Sequence, residues 1–190
     1  MFQGYWQTTI GLELKGKLLG LIGLGKIGTQ VAKVAKAFGM EVCAWSENLD
    51  LTHANKIGVL PMSKEDLLKN ADIVSIHTKL NDETKYMFNK ETLSTMKPTS
   101  VIINCARGGL INEADLKDAL NNEVIAGAAI DVYENEPATD NVMFGAKNLL
   151  LTPHLGASSK EAQSNVAIDV ANQVADFLID NKIVNNVNSF

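Results

Sequence analysis

The sequence predicts an α/β fold: a doubly wound parallel sheet with flanking helices, followed by a longer C-terminal helix. Three observations predict it. Short runs rich in Val, Ile and Leu recur along the chain, each followed by a stretch with helical spacing. A glycine-rich turn joins the first run to the first helical stretch. Polar residues gather where the later apolar runs end. Strands that alternate with helices and are apolar throughout belong to a parallel sheet covered on both faces.

Taken in order, Lys17–Gly23 is the first strand. Ile27–Phe38 follows as a helix with apolar Ile27, Val31, Val34, Ala35 and Phe38 on one face, and Gly39 ends it. Glu41–Trp45 is the second strand and Gly58–Leu60 a short third. Ser63 is the N-cap of a helix opening Lys64-Glu65-Asp66. Further strands are Asp72–Ile76, Ser100–Cys105, Val124–Ile130 and Asn148–Leu151, with helices near Lys90–Met96 and Glu113–Leu120. Ser158–Asn181 is a longer amphipathic helix whose apolar stripe includes Ala162, Val166, Val170, Val174, Phe177 and Leu178. Such a stripe is packing surface, for a core or an interface.

Composition narrows the classes of partner. The chain has 190 residues, 46% of them hydrophobic and 21% charged, with net charge −5 and no long run of like charges. That balance gives no reason to expect nucleic acid or an anionic membrane as partner. No apolar run reaches the roughly 18–20 residues that cross a bilayer. Met1–Trp6 lacks the basic and apolar regions of a signal peptide. Cys43 and Cys105 stand in apolar, strand-like surroundings and are expected as buried free thiols, which fits a cytoplasmic location. No Cys/His cluster has metal-ligand spacing, so no metal site is expected.

Gly23-Leu24-Gly25-Lys26-Ile27-Gly28 follows a strand and opens a helix. In that context G-x-G-x-x-G is the dinucleotide-binding turn of a Rossmann domain. Gly23 permits the tight turn, Gly25 lets a pyrophosphate approach the backbone, and Gly28 brings helix and strand close. The helix N-terminus then faces the phosphates. An acidic residue usually ends the second strand, to bind ribose hydroxyls. Here Ser46 occupies that position with Glu47 beside it, and no Arg or Lys is close in sequence. NAD is therefore expected rather than NADP.

Ligands of an open parallel sheet bind beyond the carboxyl ends of its strands. Those ends carry His77-Thr78, Ala106-Arg107-Gly108-Gly109, Asp131 and His154-Leu155-Gly156-Ala157. Removing hydride from a hydroxy acid needs a base for the hydroxyl proton, and His suits neutral pH. Of the three histidines, His53 falls in a polar loop or helix start and is expected to be solvated. His77 is expected to pack or to position backbone, and His154 to be the acid/base. Glu134 and Glu136 are both candidates to orient its imidazole. Arg107 suits a substrate carboxylate, or is a surface residue.

These residues resemble the D-isomer-specific 2-hydroxyacid dehydrogenases. The matching motifs are Gly23–Gly28, Asn104-Cys105-Ala106-Arg107-Gly108-Gly109, Asp131-Val132-Tyr133-Glu134-Asn135-Glu136-Pro137 and Thr152-Pro153-His154-Leu155-Gly156-Ala157, in the family's order. Gly156–Ala167 and Val184–Asn188 look like the serine-biosynthetic branch of the family. The resemblance implies hydride transfer between NAD and a D-2-hydroxy or 2-keto acid, with Arg107, Glu136 and His154 as the catalytic residues. It also implies that Lys26, Ile27, Thr78, Cys105, Ala106, Arg107, Asp131, His154, Gly156 and Ala157 line the dinucleotide, Asp131 near the nicotinamide amide. Ser46 and Lys79 depart from the family's usual Asp and Pro.

The expected organisation is an N-terminal linker and interface segment over 1–16, an NAD-binding Rossmann domain over 17–156, and a helix and tail over 157–190 leading to a substrate domain. Family members carry most of that domain ahead of the position where this chain starts. The chain alone is therefore expected to bind cofactor but turn over weakly or not at all. An NAD(H) sensor or an inactive binding fragment is the alternative, as is another 2-hydroxyacid dehydrogenase such as a glyoxylate/hydroxypyruvate reductase. A homodimer is expected: Phe2, Tyr5, Trp6 and the apolar stripe of the last helix offer apolar surface for it, and the resemblance implies that it forms through the NAD-binding domain.

Overall fold

Eleven of the expected strand and helix positions, joined by one helix that the sequence reading did not name, fall into one ladder of alternating elements, which the computed structural model describes over residues 11–186. In chain order they are β1 (Leu18–Ile22), α1 (Lys26–Ala37), β2 (Glu41–Trp45), α2 (Leu51–Lys56), β3 (Leu60–Pro61) and α3 (Lys64–Asn70). Then come β4 (Ile73–Ile76), α4 (Lys90–Ser94), β5 (Val101–Asn104), α5 (Glu113–Asn121), β6 (Gly127–Ile130) and β7 (Leu149–Leu151). Phe2, Tyr5 and Trp6 lie outside the described residues.

The seven strands form one parallel sheet in the order β3-β2-β1-β4-β5-β6-β7. This is the doubly wound arrangement, and its order reverses between β1 and β4. Alternation along the strands sends side chains to two separate cores. Leu19, Leu21, Val42 and Ala44 pack with Ala32 and Ala35 of α1. Ile22, Cys43, Val74, Ile76 and Ile102 pack with Leu67, Phe88, Leu93 and Leu116 in the larger cluster.

Helix α1 corrects the sequence reading. Its buried residues are Gly28, Thr29, Ala32 and Ala35. Ile27 and Phe38, from the apolar stripe, are 70% and 62% exposed. A helix pressed close to a sheet buries its small residues, and the larger apolar side chains are left on the outer side. Val34 and Phe38 there border a groove of about 450 Å³ with Leu14, Leu19, Ile73 and Ile103.

Strand boundaries differ where turns intervene. Gly58 has φ +67 in the turn after α2, a helix not expected from the sequence, so pairing begins only at Leu60. Val124 donates its N–H to the Ala119 carbonyl at 2.8 Å, closing α5, and β6 starts at Gly127 instead of Val124.

The chain divides after Pro153 into two units. In the second, α6 (Lys160–Asp180) is capped by the Ser159 hydroxyl, which accepts from the Ala162 N–H, and ends at Asn181 with φ +51. None of its residues is buried. Val170, Val174 and Phe177 line a hollow of about 310 Å³ with Ile183 and Val184 of the tail.

His77, just past β4, ties strands together. Its N–H donates to the Ile22 carbonyl at 2.8 Å, and its Nε2 lies 2.9 Å from the Ser75 hydroxyl. Burial pushes its imidazole below the ordinary value of 6.5. The unfolded chain therefore takes up this proton at higher pH than the fold does. The contribution is fully present above about 6.5 and is lost as pH falls through that value toward the folded one. Melting temperature should drop as pH falls from neutral, and less steeply in His77→Gln. Parallel curves would show that other groups carry the acid sensitivity.

Candidate active site

Gly23 leaves β1 with φ +103, and a Cβ there would sit 2.7 Å from the His77 carbonyl oxygen. A Cβ on Gly28 would collide with the Gly23 carbonyl oxygen, so α1 starts directly against the turn. Gly25 is different: a Cβ there meets no protein atom within 4 Å. Nothing in the chain's own packing requires glycine at that point. The space it leaves open belongs to a cradle of about 680 Å³ lined by Leu24, Gly25, Lys26, Ile27, Gln30 and His53.

The first turn of α1 faces the same way. Its N-cap is Gly25, with no side-chain cap and no acidic residue in the turn. Every other helix among the described residues has a side-chain cap, from Asp50, Ser63, Asn89, Asn112 and Ser159. Uncapped N–H groups at a positive helix end make an anion site. The pyrophosphate of a dinucleotide fits this turn, because the Cβ that would fill its place is missing and the donors are free of caps.

Beside the cradle, the Thr29 hydroxyl and His53 Nε2 lie 2.9 Å apart. His53 is half-buried on α2, not solvated as the sequence suggested. Asp50 caps α2 by accepting from the His53 backbone N–H at 2.9 Å. Only a local Asx cap in the sequence hinted at this helix. At the end of β2, Ser46 is half-buried and Glu47 exposed, while the Lys64 ammonium stands 5.7 Å from the Trp45 ring centre.

The register aligns the remaining strand ends. Ile22 pairs Ile76, Ile76 pairs Asn104, Asn104 pairs Ile130, and Ile130 pairs Leu151. The residues that follow, Gly23, His77, Cys105, Asp131 and Thr152, therefore lie side by side along one edge, with Thr78 and Ala106 one step beyond. Buried Asn104 shapes its loop twice over. Its Oδ1 accepts from the Ala106 N–H at 3.0 Å and its Nδ2 donates to the Arg107 carbonyl at 2.9 Å. Arg107 is exposed, and its Nη1 donates to the Ala106 carbonyl at 2.6 Å.

Asp131 is buried and accepts from the Thr152 hydroxyl at 2.5 Å. Tyr133 anchors the next segment by donating its hydroxyl to the Thr152 carbonyl at 2.8 Å. The exposed Glu136 curls back so that Oε1 accepts from the Tyr133 N–H at 2.9 Å. Glu134 turns elsewhere, its Oε2 accepting from the Tyr86 hydroxyl at 3.0 Å. His154, Gly156 and Ala157 belong to the second unit. There His154 is exposed at φ +51, its carbonyl accepts from the Ser158 hydroxyl at 3.4 Å, and the Ala157 carbonyl accepts from Gln163 Nε2 at 2.8 Å.

Cys105 also corrects the sequence reading. It is exposed, because it stands just past β5 where the pleat opens toward the crevice; only Cys43 is buried. Among the described residues no cluster of His, Cys, Asp and Glu could hold a metal ion, and no helix is long and apolar enough to cross a membrane.

Residues 1–156 match the family model described as D-isomer specific 2-hydroxyacid dehydrogenase, NAD binding domain. The chain belongs to that family. It is 49% identical over 174 residues to a D-3-phosphoglycerate dehydrogenase of Bacillus subtilis, covering 90% of this chain and 33% of that protein. In structure it is similar to a glyoxylate reductase from Paecilomyes thermophila, with TM-score 0.88, 33% identity, and 95% and 55% of the two chains covered. A D-lactate dehydrogenase from Lactobacillus jensenii, solved with NAD+, gives TM-score 0.82 at 29% identity over 95% and 58%. Residues 1–156 are thus an NAD-binding domain of the 2-hydroxyacid dehydrogenase family, and the chain spans about a third of that curated relative's length.

The two thiols of this family member differ in a measurable way. Burial pushes the Cys43 thiol up to about 11. Desolvation and then the Asp131 carboxylate raise Cys105 above its ordinary value as well. Thiolate is the reactive form. A disulfide reagent should therefore titrate Cys105 alone in the folded chain, slowly at neutral pH and faster as pH rises. Rapid reaction of both thiols without denaturant would contradict this.

Proposed function

We propose that the chain supplies the cofactor site and the acid–base residues of an enzyme that oxidises a D-2-hydroxy acid of the D-3-phosphoglycerate type, or reduces the keto acid. One observation carries the cofactor half: among the described helices α1 alone lacks a side-chain cap, and it opens at a glycine whose Cβ space is empty. Gly23, Gly25, Lys26, Ile27 and Gly28 hold the pyrophosphate, and Ser46 with Glu47 meets the adenosine ribose. Thr78, Cys105, Ala106, Asp131, Gly156 and Ala157 line the rest.

Bound NAD supplies the acceptor for the hydride leaving the carbinol carbon. His154 takes the hydroxyl proton, and Glu136 orients its imidazole and stabilises the imidazolium. Arg107 offers its forked donors to the substrate carboxylate and the developing carbonyl. The engagement of Glu134 by Tyr86 supports Glu136 over Glu134 in this role. Residues 17–156 form the NAD-binding domain in this reading, and 157–190 lead into a substrate domain that completes the cleft. The enzyme works in the cytoplasm.

The same reading includes a homodimer through the NAD-binding domain. The groove bordered by Val34 and Phe38 supports it, since contiguous exposed apolar surface commonly marks an interface. Light scattering should give twice the chain mass, and Phe38→Glu should give a monomer. A monomeric unsubstituted chain would remove this part of the reading.

Isothermal titration tests the cofactor site. NADH should bind more tightly than NADPH, because Glu47 repels a 2′-phosphate. Gly25→Val should weaken NADH by about a hundredfold, ~2.7 kcal/mol. Its melting temperature should hardly move, because a Cβ at this position meets no protein atom within 4 Å. Equal NADH affinity in the variant would refute the site. In any form with turnover, His154→Ala should abolish activity while NADH still binds.

A further inference from the structure

We propose that Tyr86 and Glu113 are positioning residues of this reaction: with Glu134 they hold the segment that carries Glu136 against the Arg107–Gly109 loop. The proposal rests on the roles given above to Arg107 and Glu136.

The segment from Asp131 to Pro137 has no ladder of its own past β6, and Glu134, Asn135 and Glu136 are exposed. An orienting carboxylate there must nevertheless stand still. Three contacts hold it. First, a Cβ on Gly108 would collide with the Tyr133 carbonyl, so the Arg107–Gly109 backbone lies directly on the Tyr133–Glu134 backbone. Second, Glu113 opens α5 and is 9% exposed. Its Oε1 accepts from the Glu134 N–H at 2.9 Å and its Oε2 from Asn141 Nδ2 at 2.8 Å. One buried carboxylate thus grips the chain on both sides of Glu136, and the positive end of α5 favours its charge.

Third, Tyr86 joins the two segments at once. Its N–H donates to the Gly109 carbonyl at 2.8 Å, and its hydroxyl donates to Glu134 Oε2 at 3.0 Å. Glu134 in turn holds the Tyr86 hydroxyl above its ordinary value. The residue sits at φ +51, a region that a bulky side chain rarely adopts. A solvent-facing hydrogen bond adds little to global stability. Its two ends, however, fall on the carriers of Arg107 and Glu136, so its effect is local and geometric.

The Tyr133 amide reports on this directly, because it donates to Glu136 Oε1. In the unsubstituted chain its 1H–15N shift should titrate with that carboxylate. Tyr86→Phe removes only the hydroxyl, and Glu113→Gln puts a donor where an acceptor is needed. In both, the Tyr133 titration should flatten, and exchange of the Tyr133 and Glu134 amides should quicken about three- to tenfold. Amides of β1 and β4 should be unchanged. Glu134→Gln keeps an acceptor for the Tyr86 hydroxyl and should behave like the unsubstituted chain.

Unchanged Tyr133 and Glu134 amides in Tyr86→Phe would overturn the proposal. So would equal loss of protection throughout the sheet, which would mark a general structural role. NADH titration of the same samples separates the two readings. A chain that binds no NADH refutes the cofactor site, while the amide pattern still decides the positioning.

Discussion

The contact between Gly28 and the Gly23 carbonyl fixes more of this molecule than any other. Because no side chain separates them, α1 begins at the very end of β1, and its first N–H groups emerge at the sheet's carboxyl edge. The same turn is pinned sideways. Gly23 donates to the Trp45 carbonyl at 2.8 Å on β2's side and abuts the His77 carbonyl on β4's side. The switch in strand order, between β1 and β4, therefore falls where α1 opens. The anion-binding helix end and the crevice are consequences of a single steric fit.

From that point the parallel register carries the alignment across to β7, one hydrogen-bonded step at a time. Asp131 N–H donates to Asn104, and Thr152 N–H to Ile130, each at 3.0 Å. Residues far apart in sequence reach the same edge because each leaves its strand at the same rung. Negative charge accumulates there, on Asp131, Glu134 and Glu136. Each has a donor facing it: the Thr152 hydroxyl, the Tyr86 hydroxyl and the Tyr133 N–H. The Arg107 guanidinium donates to the adjacent Ala106 carbonyl and is exposed.

Much of this was legible in the sequence, for definite reasons. The strand–glycine–helix order, the apolar strands and the motifs at their ends are local patterns, and each maps onto one element. What misled or stayed hidden was non-local. The apolar stripe of α1 has perfect helical spacing, yet spacing says only that one side is apolar, not that this side meets the sheet. Cys105 looks like the last residue of a strand, but pairing stops at Asn104. His53 gains its partner from α1, 24 positions away. Tyr86 reaches Glu134 across 48 positions, and Glu113 reaches the Glu134 amide across 21. Nothing in the neighbourhood of any of these residues announces its partner.

The position of Trp45 has an optical consequence. Its carbonyl accepts from Gly23 at the cofactor turn, while its ring packs at the edge of the larger core under the Lys64 ammonium. Indole emission overlaps the absorption of reduced nicotinamide, and energy passes between such groups over distances comparable to the whole domain. A cation above the ring also makes the emission sensitive to small displacements at the end of β2. The fold thus carries a built-in fluorescent donor beside its cofactor turn, through which occupancy can be followed in real time without any label.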